Sequence, residues 1–152
     1  MKKFEFQMEK LLKYKNQVLG SQMMVLADLN AQLAEEQSEK KALEDHMDLE
    51  RKEFEKKTKG ATLPHVWQIH AAFVEHTKEK IALKEQEILY IQKSIDEQRE
   101  VIKNTKIETR SLEIIREARY DEYRKEEEKK AEQEIEEFVS AADALKKISD
   151  AN

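Results

Sequence analysis

Proline occurs once in these 152 residues, at Pro64, and one of only two glycines, Gly60, lies four positions before it. A glycine tolerates the left-handed backbone geometry that ends a helix, and a proline fits the first turn of the next helix. On both sides of this segment the chain carries many charges and heptad-spaced apolar residues, which is typical of long helices. The sequence therefore predicts a first helix over about 4–58, a turn over 59–64 and a second helix over about 65–148.

The composition favours an all-α protein with a thin core. Charged residues make up 40% of the chain and hydrophobic residues 39%, a balance that suits helices burying one stripe each within a single coiled-coil domain over 1–152. Cysteine is absent, which excludes disulfides and thiol chemistry. The longest purely apolar run, Met23–Ala27, is too short to cross a bilayer, and Glu5 interrupts any export signal. We expect a soluble cytosolic protein.

The net charge of -5 is concentrated near the C-terminus. Residues 121–137 hold nine acids and four bases, so acids and bases balance at 24 each in the rest of the chain. A nucleic-acid-binding protein would show an excess of basic residues on one face, so no nucleic-acid partner is expected. The simplest interpretation of the acidic run is a solvated helix.

Both predicted helices show coiled-coil spacing. In the second, β-branched residues at intervals of seven predict a firm seam: Val74, Ile81, Ile88, Ile95 and Ile102. The intervening seam positions, several of them polar, are His70, Thr77, Lys84, Ile91, Gln98, Thr105 and Leu112. In the first, the spacing predicts Phe4, Met8, Leu11, Val18, Val25 and Leu29. Its continuation through Leu33 implies a phase slip of one residue near Leu29, close to the unfavourable mid-helix Gly20.

A short turn between long helices forces them into an antiparallel hairpin. With the bend at 61–62, Phe4 is expected to meet the region of Ala118, and residues beyond about Arg119 form a helical overhang without an intrachain partner. The overhang regains an apolar seam at Ile135, Phe138, Ala142 and Leu145. That stripe requires some other surface to bury it.

No constellation for catalysis is present. The chain lacks phosphate-binding glycine motifs, and its four histidines never lie at i,i+4. We expect neither enzymatic activity nor a metal or cofactor. One cluster just past the turn is distinctive, with the only tryptophan, Trp67, near Ile69, Phe73 and Val74. These residues either cap the core or anchor a partner protein.

Three segments resemble the family of the flagellar export protein FliJ, a component of the bacterial flagellar type III export apparatus. The N-terminal Phe4-Glu5-Phe6-Gln7-Met8-Glu9-Lys10-Leu11-Leu12-Lys13-Tyr14-Lys15 is similar to the family's opening F-x-F-x-x-x-x-L-L-x-x-K. The stretch Trp67-Gln68-Ile69-His70-Ala71-Ala72-Phe73-Val74 resembles its post-turn signature, although Ala71-Ala72 replaces the usual Gln pair. Near the C-terminus, Ile135-Glu136-Glu137-Phe138 is similar to the family's Asp-Glu-Phe element.

The resemblance implies an antiparallel coiled coil that acts like the central stalk of a rotary ATPase. Such a stalk inserts its terminal end into the ring of the export ATPase FliI and promotes the ring's assembly and activity, while its other end reaches the membrane export gate protein FlhA. Escort of export chaperones is a further implied role. Carried onto this sequence, the ring-binding residues are Phe4, Phe6, Leu11, Ile135, Phe138 and Leu145, and the gate-binding residues are Trp67, Ile69 and Phe73. The implied location is the cytoplasm, in peripheral association with the inner-membrane export apparatus, without direct insertion into the membrane.

Two alternatives stay open at this point. The weak seam and the apolar overhang also fit a purely structural coiled-coil scaffold that self-associates. The equivalent stalk of a virulence type III injectisome shares the same architecture, although the N-terminal match favours the flagellar branch.

Overall fold

The computed structural model describes residues 2–59 and 61–151, in which two α-helices pack against each other. Helix α1 spans Glu9–Thr58 and helix α2 spans Pro64–Ala151, and the described residues contain no strand. The all-helical class expected from the sequence is confirmed. Within the described part of the chain, neither helix holds a stretch that is apolar enough to cross a membrane.

Helix α2 begins at Pro64, one position before the predicted start. The preceding residue, Leu63, closes the first turn. The main-chain oxygen of Leu63 accepts hydrogen bonds from the amides of Val66 at 3.1 Å and Trp67 at 3.3 Å. Because proline has no amide hydrogen to satisfy, it fits this first helical position. At the end of α1, Lys59 adopts a positive φ of 46°. Gly60, the expected helix terminator, lies outside the described residues.

The N-terminus of α1 differs from the sequence prediction. The helix begins at Glu9 instead of about residue 4, and residues 2–8, which we call the N-terminal strap, precede it in non-helical conformation. Phe4 and Phe6 are separated by one residue, so an extended chain carries both rings on one side whereas a helix would separate them widely. The strap also lacks a Ser, Thr, Asp or Asn that could cap a helix. Burial of both rings therefore favours the extended conformation.

The described residues belong to two compact units. The first unit combines Met1–Val18 with Thr105–Asn152, and the second unit is Leu19–Asn104. Each unit therefore contains a segment of α1 and a segment of α2.

The core of the second unit follows the predicted seam of α2. Ile88, Ile95 and Ile102 are buried, and so is the hydroxyl-bearing Thr77. Thr77 satisfies its hydroxyl by donating to the main-chain oxygen of Phe73 at 2.9 Å. The β-branched column predicted for α2 thus forms the centre of this unit.

The α1 seam of the second unit is regular, and the predicted phase slip near Leu29 is wrong. The half-buried positions are spaced alternately by three and four residues: Leu19, Gln22, Leu26, Leu29, Leu33, Glu36, Lys40, Leu43, Met47, Glu50 and Phe54. Val25, predicted to face inward, is exposed. Val25 and the adjacent Leu26 both fit the apolar spacing, and it is Leu26 that packs inward.

The first unit has a small core. Here too, the residue that packs inward is the neighbour of the one predicted to do so. Leu12 is only 7% exposed, whereas the predicted seam residue Leu11 is 43% exposed. The other buried residues of this unit are Phe6, Thr105, Thr109 and Leu112. The hydroxyl of Thr109 donates to the main-chain oxygen of Thr105 at 2.8 Å, which allows a polar side chain at a buried position.

The unpartnered part of α2 begins later than Arg119. Tyr123 and Glu127 are half-buried, and every described residue from 128 to 151 is exposed. An extended chain advances about 3.3 Å per residue against 1.5 Å in a helix, so the N-terminal strap reaches further along α2 than a helical segment would. We call the exposed segment 128–151 the C-terminal overhang.

Candidate partner-binding surfaces

The aromatic rings of the N-terminal strap pack onto α2 within the first unit. The ring of Phe4 meets Tyr120 edge to face, with centroids 5.2 Å apart and an interplanar angle of 81°. The same ring lies 5.5 Å from the Tyr123 centroid, and the guanidinium carbon of Arg116 lies 5.7 Å from its centre. Edge-to-face pairs and cations over rings both add to the stabilisation given by burial of apolar area.

Polar contacts attach the strap and the start of α1 to the same segment. Arg116 Nε donates to Glu9 Oε2 at 2.9 Å, and the Tyr123 hydroxyl donates to the main-chain oxygen of Lys2. The main-chain oxygen of Phe6 accepts from the Glu9 amide at 3.1 Å and so satisfies one of the free amides at the helix start. The negative charge of Glu9 is also favourable in the first turn.

The predicted ring-binding residues of the N-terminus differ in their accessibility to a partner. Phe6 is buried and Phe4 is half-buried, so neither ring is fully available to a partner. Leu11 is exposed, because Leu12 occupies the inward position. The partner-binding role of all three residues stays a prediction.

The C-terminal overhang carries a continuous apolar face. Its members share one side of α2 at helical spacing, and we call them the C-terminal face: Ile135, Phe138, Val139, Ala142 and Leu145. The three largest predicted members are exposed to 63% for Ile135, 75% for Phe138 and 68% for Leu145. The last half-buried positions of α2, Tyr123 and Glu127, lie upstream of this face. The whole C-terminal face is therefore open to solvent.

Charges of both signs border the C-terminal face. Acidic residues dominate its beginning, at Glu132, Glu134, Glu136 and Glu137, and two bases, Lys146 and Lys147, lie near its end. All of these residues are exposed. A surface that combines exposed large apolar side chains with a charged border is typical of protein-binding sites.

The predicted gate-binding residues lie near the start of α2 in the second unit. Trp67 packs on Phe54 with centroids 4.9 Å apart and an interplanar angle of 77°, yet 47% of Trp67 is exposed. Phe54 also stacks on His70 at 3.9 Å. Trp67 therefore contacts the core and also presents surface, and its role as a partner anchor stays a prediction.

The other two gate-binding residues differ in accessibility. Ile69 is exposed, whereas Phe73 is half-buried and meets His46 edge to face at 5.7 Å. Trp67 and Ile69 are thus the accessible residues of this cluster, but they lie about 200° apart around α2, so we call only the side that carries Trp67 the turn-proximal surface.

One charged network interrupts the apolar seam of the second unit. Lys84 Nζ donates to Glu36 Oε2 at 3.0 Å and to Glu39, and it lies 3.6 Å from a carboxylate oxygen of Glu87. Hydrogen bonds to Glu39 and then Glu36 raise the pKa of Lys84 above its usual range. A hydrogen bond with Glu87, followed by one with Lys84, lowers the pKa of Glu36, whereas the bond with Glu36 raises the pKa of Glu87.

This network lies in a seam between two helices and is not enclosed in a cleft. The side chains of Lys84 and Glu36 are partly exposed, and those of Glu39 and Glu87 more so. In the described residues, no group of three or more His, Cys, Asp or Glu side chains is arranged to hold a metal ion. The arrangement suits a helix-pairing contact, in which Lys84 reaches carboxylates of α1.

Several contact residues are missing from the sequence prediction. Arg116, Tyr120 and Tyr123 form the surface that receives the N-terminal strap, and Phe54 supports Trp67. A signal for the first group exists in the alternation Phe4-Glu5-Phe6, which is typical of an extended segment. The contact between Phe54 and Trp67 depends on the geometry of the turn, which heptad spacing does not specify.

No model of a protein family, no curated protein and no solved structure matches the chain. Functional inference for this protein therefore depends on the contacts and exposed surfaces of the two units, together with the motif resemblance.

Proposed function

We propose that this chain is a stalk-like component of the bacterial flagellar type III protein export apparatus. It binds the ring of the export ATPase FliI, promotes ring assembly and ATP hydrolysis, and links the ring to the export gate protein FlhA. Escort of export chaperones is a further part of this role. The chain works in the cytoplasm, in peripheral association with the inner-membrane apparatus, and is not itself an enzyme. The three motifs that resemble the FliJ family support the proposal.

The helices of each unit form an antiparallel coiled coil under this proposal. In the first unit Glu9 contacts Arg116, and the later Lys15 contacts the earlier Glu108. In the second unit the α2 partners of Gln22, Glu36 and Phe54 are Gln98, Lys84 and His70, so their numbers fall as those of α1 rise. Opposed numbering of partners is the pattern of antiparallel helices.

The observation that carries the proposal is the exposed C-terminal face. Ile135, Phe138 and Leu145 are large, apolar and open to solvent on one side of a helix. Contiguous exposed apolar side chains of this size mark surfaces that bind other proteins. Under the proposal they contact the ATPase ring, with exposed Leu11 as a further contact from the N-terminal part of the first unit.

The turn-proximal surface of the second unit binds the gate protein. Trp67 is the aromatic anchor, because tryptophan contributes a disproportionate share of the binding free energy at interfaces. Its packing on Phe54 limits its motion before binding, which reduces the entropic cost of association. Ile69 lies on the opposite side of α2, so its part in binding requires a gate protein that contacts both sides of the helix, and Phe73 supports the contact from its half-buried site.

Reconstitution with the export ATPase tests the ring-binding role. The intact chain is expected to raise ATP hydrolysis and to increase the fraction of ATPase in rings, and Phe138→Asp is expected to abolish both effects. Tyr90→Asp is the matched control, since Tyr90 is equally exposed but lies in the second unit. A purely structural scaffold would leave hydrolysis unchanged, and that result with the intact chain would refute the proposal.

Co-purification with the gate protein tests the second contact. Trp67→Ala is expected to weaken retention of the chain by roughly tenfold or more, because loss of an aromatic anchor commonly costs about 2 kcal/mol. Leu89→Ala, at an exposed position elsewhere in the second unit, should bind as the unaltered chain does. Equal retention of both variants would exclude the turn-proximal surface as the gate contact.

A further inference from the structure

The C-terminal face has an internal symmetry about residue 140. Ile135 and Leu145 lie five residues on either side of that point, and Phe138 and Ala142 lie two residues on either side. If a second copy of this segment packs antiparallel, Ile135 of one copy therefore meets Leu145 of the other. Phe138 likewise meets Ala142, so the largest side chain of the face lies opposite the smallest. Pairing of large with small residues is what fills a helix interface without voids or strain.

We propose that two copies of this chain associate through their C-terminal faces, with the segments over 131–149 packed antiparallel. Every described residue of the overhang is exposed, so no other part of the described chain occupies this face. The proposal goes beyond ring binding, because it gives the free chain a partner of its own. The second copy and the ATPase ring then compete for one surface.

The charges that flank the face match this arrangement. With Ile135 and Ala142 at heptad position a, and Phe138 and Leu145 at d, position e is occupied by Glu132, Val139 and Lys146. In an antiparallel pair the e positions of the two helices face each other. Glu132 of one copy lies beside Lys146 of the other, and the two-fold symmetry makes this contact twice. Val139 meets its own counterpart near the symmetry axis and enlarges the apolar contact.

A parallel arrangement of the same segments lacks these advantages. Within residues 131–149, parallel helices bring position g of one copy toward position e of the next heptad in the other, which pairs Glu134 with Val139 and Ala141 with Lys146. No opposite charges then meet across the interface. Phe138 would also face its own counterpart, so two bulky rings would share one layer. The charge pattern therefore selects the antiparallel pair.

The overhang is short, which limits the strength of the association. It spans residues 128–151, about three heptads, and an interface of this size belongs to the weak and transient class. We expect a dissociation constant on the order of 10–100 µM. Reversing one charge replaces two attractive contacts by two repulsive ones, so Lys146→Glu should weaken the dimer about tenfold.

Sedimentation equilibrium of the full chain tests the association, over concentrations from about 5 to 500 µM that bracket the expected constant. The unaltered chain should pass from monomer to dimer, Phe138→Asp should stay monomeric and Tyr90→Asp should behave as the unaltered chain. Lys146→Glu should weaken the dimer, and Glu132→Lys combined with Lys146→Glu should restore it because the contacts are re-formed with exchanged signs. A monomer at every concentration, or a double variant as weak as the single one, would overturn the proposal.

Cross-linking decides the orientation, because the chain contains no native cysteine. Chains with Ile135→Cys and chains with Leu145→Cys should form disulfides when mixed but not when oxidised separately. In the antiparallel pair, residue 135 of one copy lies opposite residue 145 of the other, so the two copies of residue 135 are ten residues apart in register. This offset is about 15 Å along the helix axis, which is beyond the reach of a disulfide. Cross-linking of either variant to itself, with none in the mixture, would contradict the antiparallel arrangement.

The two proposals can fail separately. Stimulation of the ATPase by a chain that stays monomeric at every concentration would refute only the self-association. A stable antiparallel dimer without any stimulation leaves the self-association intact and refutes only the ring-binding role.

Discussion

The ring of Phe4 meets the ring of Tyr120 edge to face, with 5.2 Å between their centroids. Phe4 lies outside any helix, whereas Tyr120 lies well within α2. The contact explains why the chain does not become helical until Glu9. Extended residues place Phe4 on Tyr120 and bring Lys2 to the hydroxyl of Tyr123.

The N-terminal strap should loosen when this contact is removed. Phe4→Ala loses an aromatic pair and the burial of half a ring, together about 1–2 kcal/mol. We expect the amides of Glu9 and Leu12, which bond to strap carbonyl oxygens, to exchange hydrogen for deuterium about 5–30-fold faster. Phe138→Ala is the control, because Phe138 lies in the exposed overhang. Unchanged exchange in Phe4→Ala would show that the strap is held by other contacts.

Lys84 should stabilise the second unit by neutralising the carboxylates around it. Lys84→Met leaves Glu36 partly buried beside Glu39 and Glu87, so the melting temperature at pH 7 should fall by several degrees. Replacing both partners, as in Glu36→Leu with Lys84→Met, should recover the loss, because an apolar pair suits this seam position. Lys80→Met, at an exposed position one turn earlier, should melt as the unaltered chain does.

The pH dependence of stability should differ between the Lys84→Met variant and the unaltered chain. In the unaltered chain the lowered pKa of Glu36 means that its contribution is complete above its ordinary value of 4.5 and is lost as the pH falls through the lowered pKa. The raised pKa of Glu87 acts oppositely, since its contribution is present at low pH and is lost as the pH rises through that pKa. The contribution of Lys84 is complete below 10.5 and is lost only as the pH rises through its raised pKa.

Without Lys84 the carboxylates repel one another, so their protonation should stabilise the fold. We expect thermal unfolding of Lys84→Met to move to higher temperature as the pH is lowered from 7 to about 4. In the unaltered chain, protonation of Glu36 should not raise the unfolding temperature in this way. Parallel pH profiles for the two proteins would mean that Lys84 and Glu36 are not coupled in solution.

The seam of α2 was predictable because isoleucine recurs at exact intervals of seven, which identifies the inward member even where another apolar residue is adjacent, as in Ile88-Leu89 and Val101-Ile102. Ile88, Ile95 and Ile102 are separated by seven residues, and all three are buried. The seam of α1 is ambiguous in sequence, since apolar residues occur as adjacent pairs, including Leu11 with Leu12 and Val25 with Leu26. Either member of a pair continues a heptad, and only the position of α2 determines which one packs inward.

The candidate surfaces were likewise only partly predictable from the sequence. Exposure of Ile135, Phe138 and Leu145 was expected from an off-centre turn, because a longer second helix must extend beyond its partner. The position in α2 at which exposure begins could not be expected from the sequence, because it depends on how far the extended strap reaches along α2. Helical periodicity contains no information about the length covered by a non-helical segment.

Gly20 should weaken α1 without any structural benefit. It lies within the helix and is exposed, and a methyl group added there would meet nothing within 4 Å apart from its chain neighbours and the backbone of its own helix. Gly20→Ala is therefore expected to stabilise the protein by about 0.5–1 kcal/mol in urea unfolding, because alanine loses less backbone entropy on folding. Ala27→Gly, at another exposed position of α1, should cost a similar amount. A destabilising Gly20→Ala would reveal a need for glycine that the helix geometry does not explain.

Gln22 should be a second source of lost stability, because its side-chain oxygen Oε1 is buried without a hydrogen-bond partner. The neighbouring Gln98 donates its Nε2 to the main-chain oxygen of Gln22 at 2.9 Å and leaves that side-chain oxygen unsatisfied. Gln22→Leu removes the buried acceptor and adds apolar contact, so we expect a gain of about 1–2 kcal/mol in the free energy of unfolding. Gln17→Leu, at an exposed position of the same helix, should give no comparable gain. Loss of stability in Gln22→Leu would indicate that water satisfies the oxygen in solution and that this polar layer favours folding.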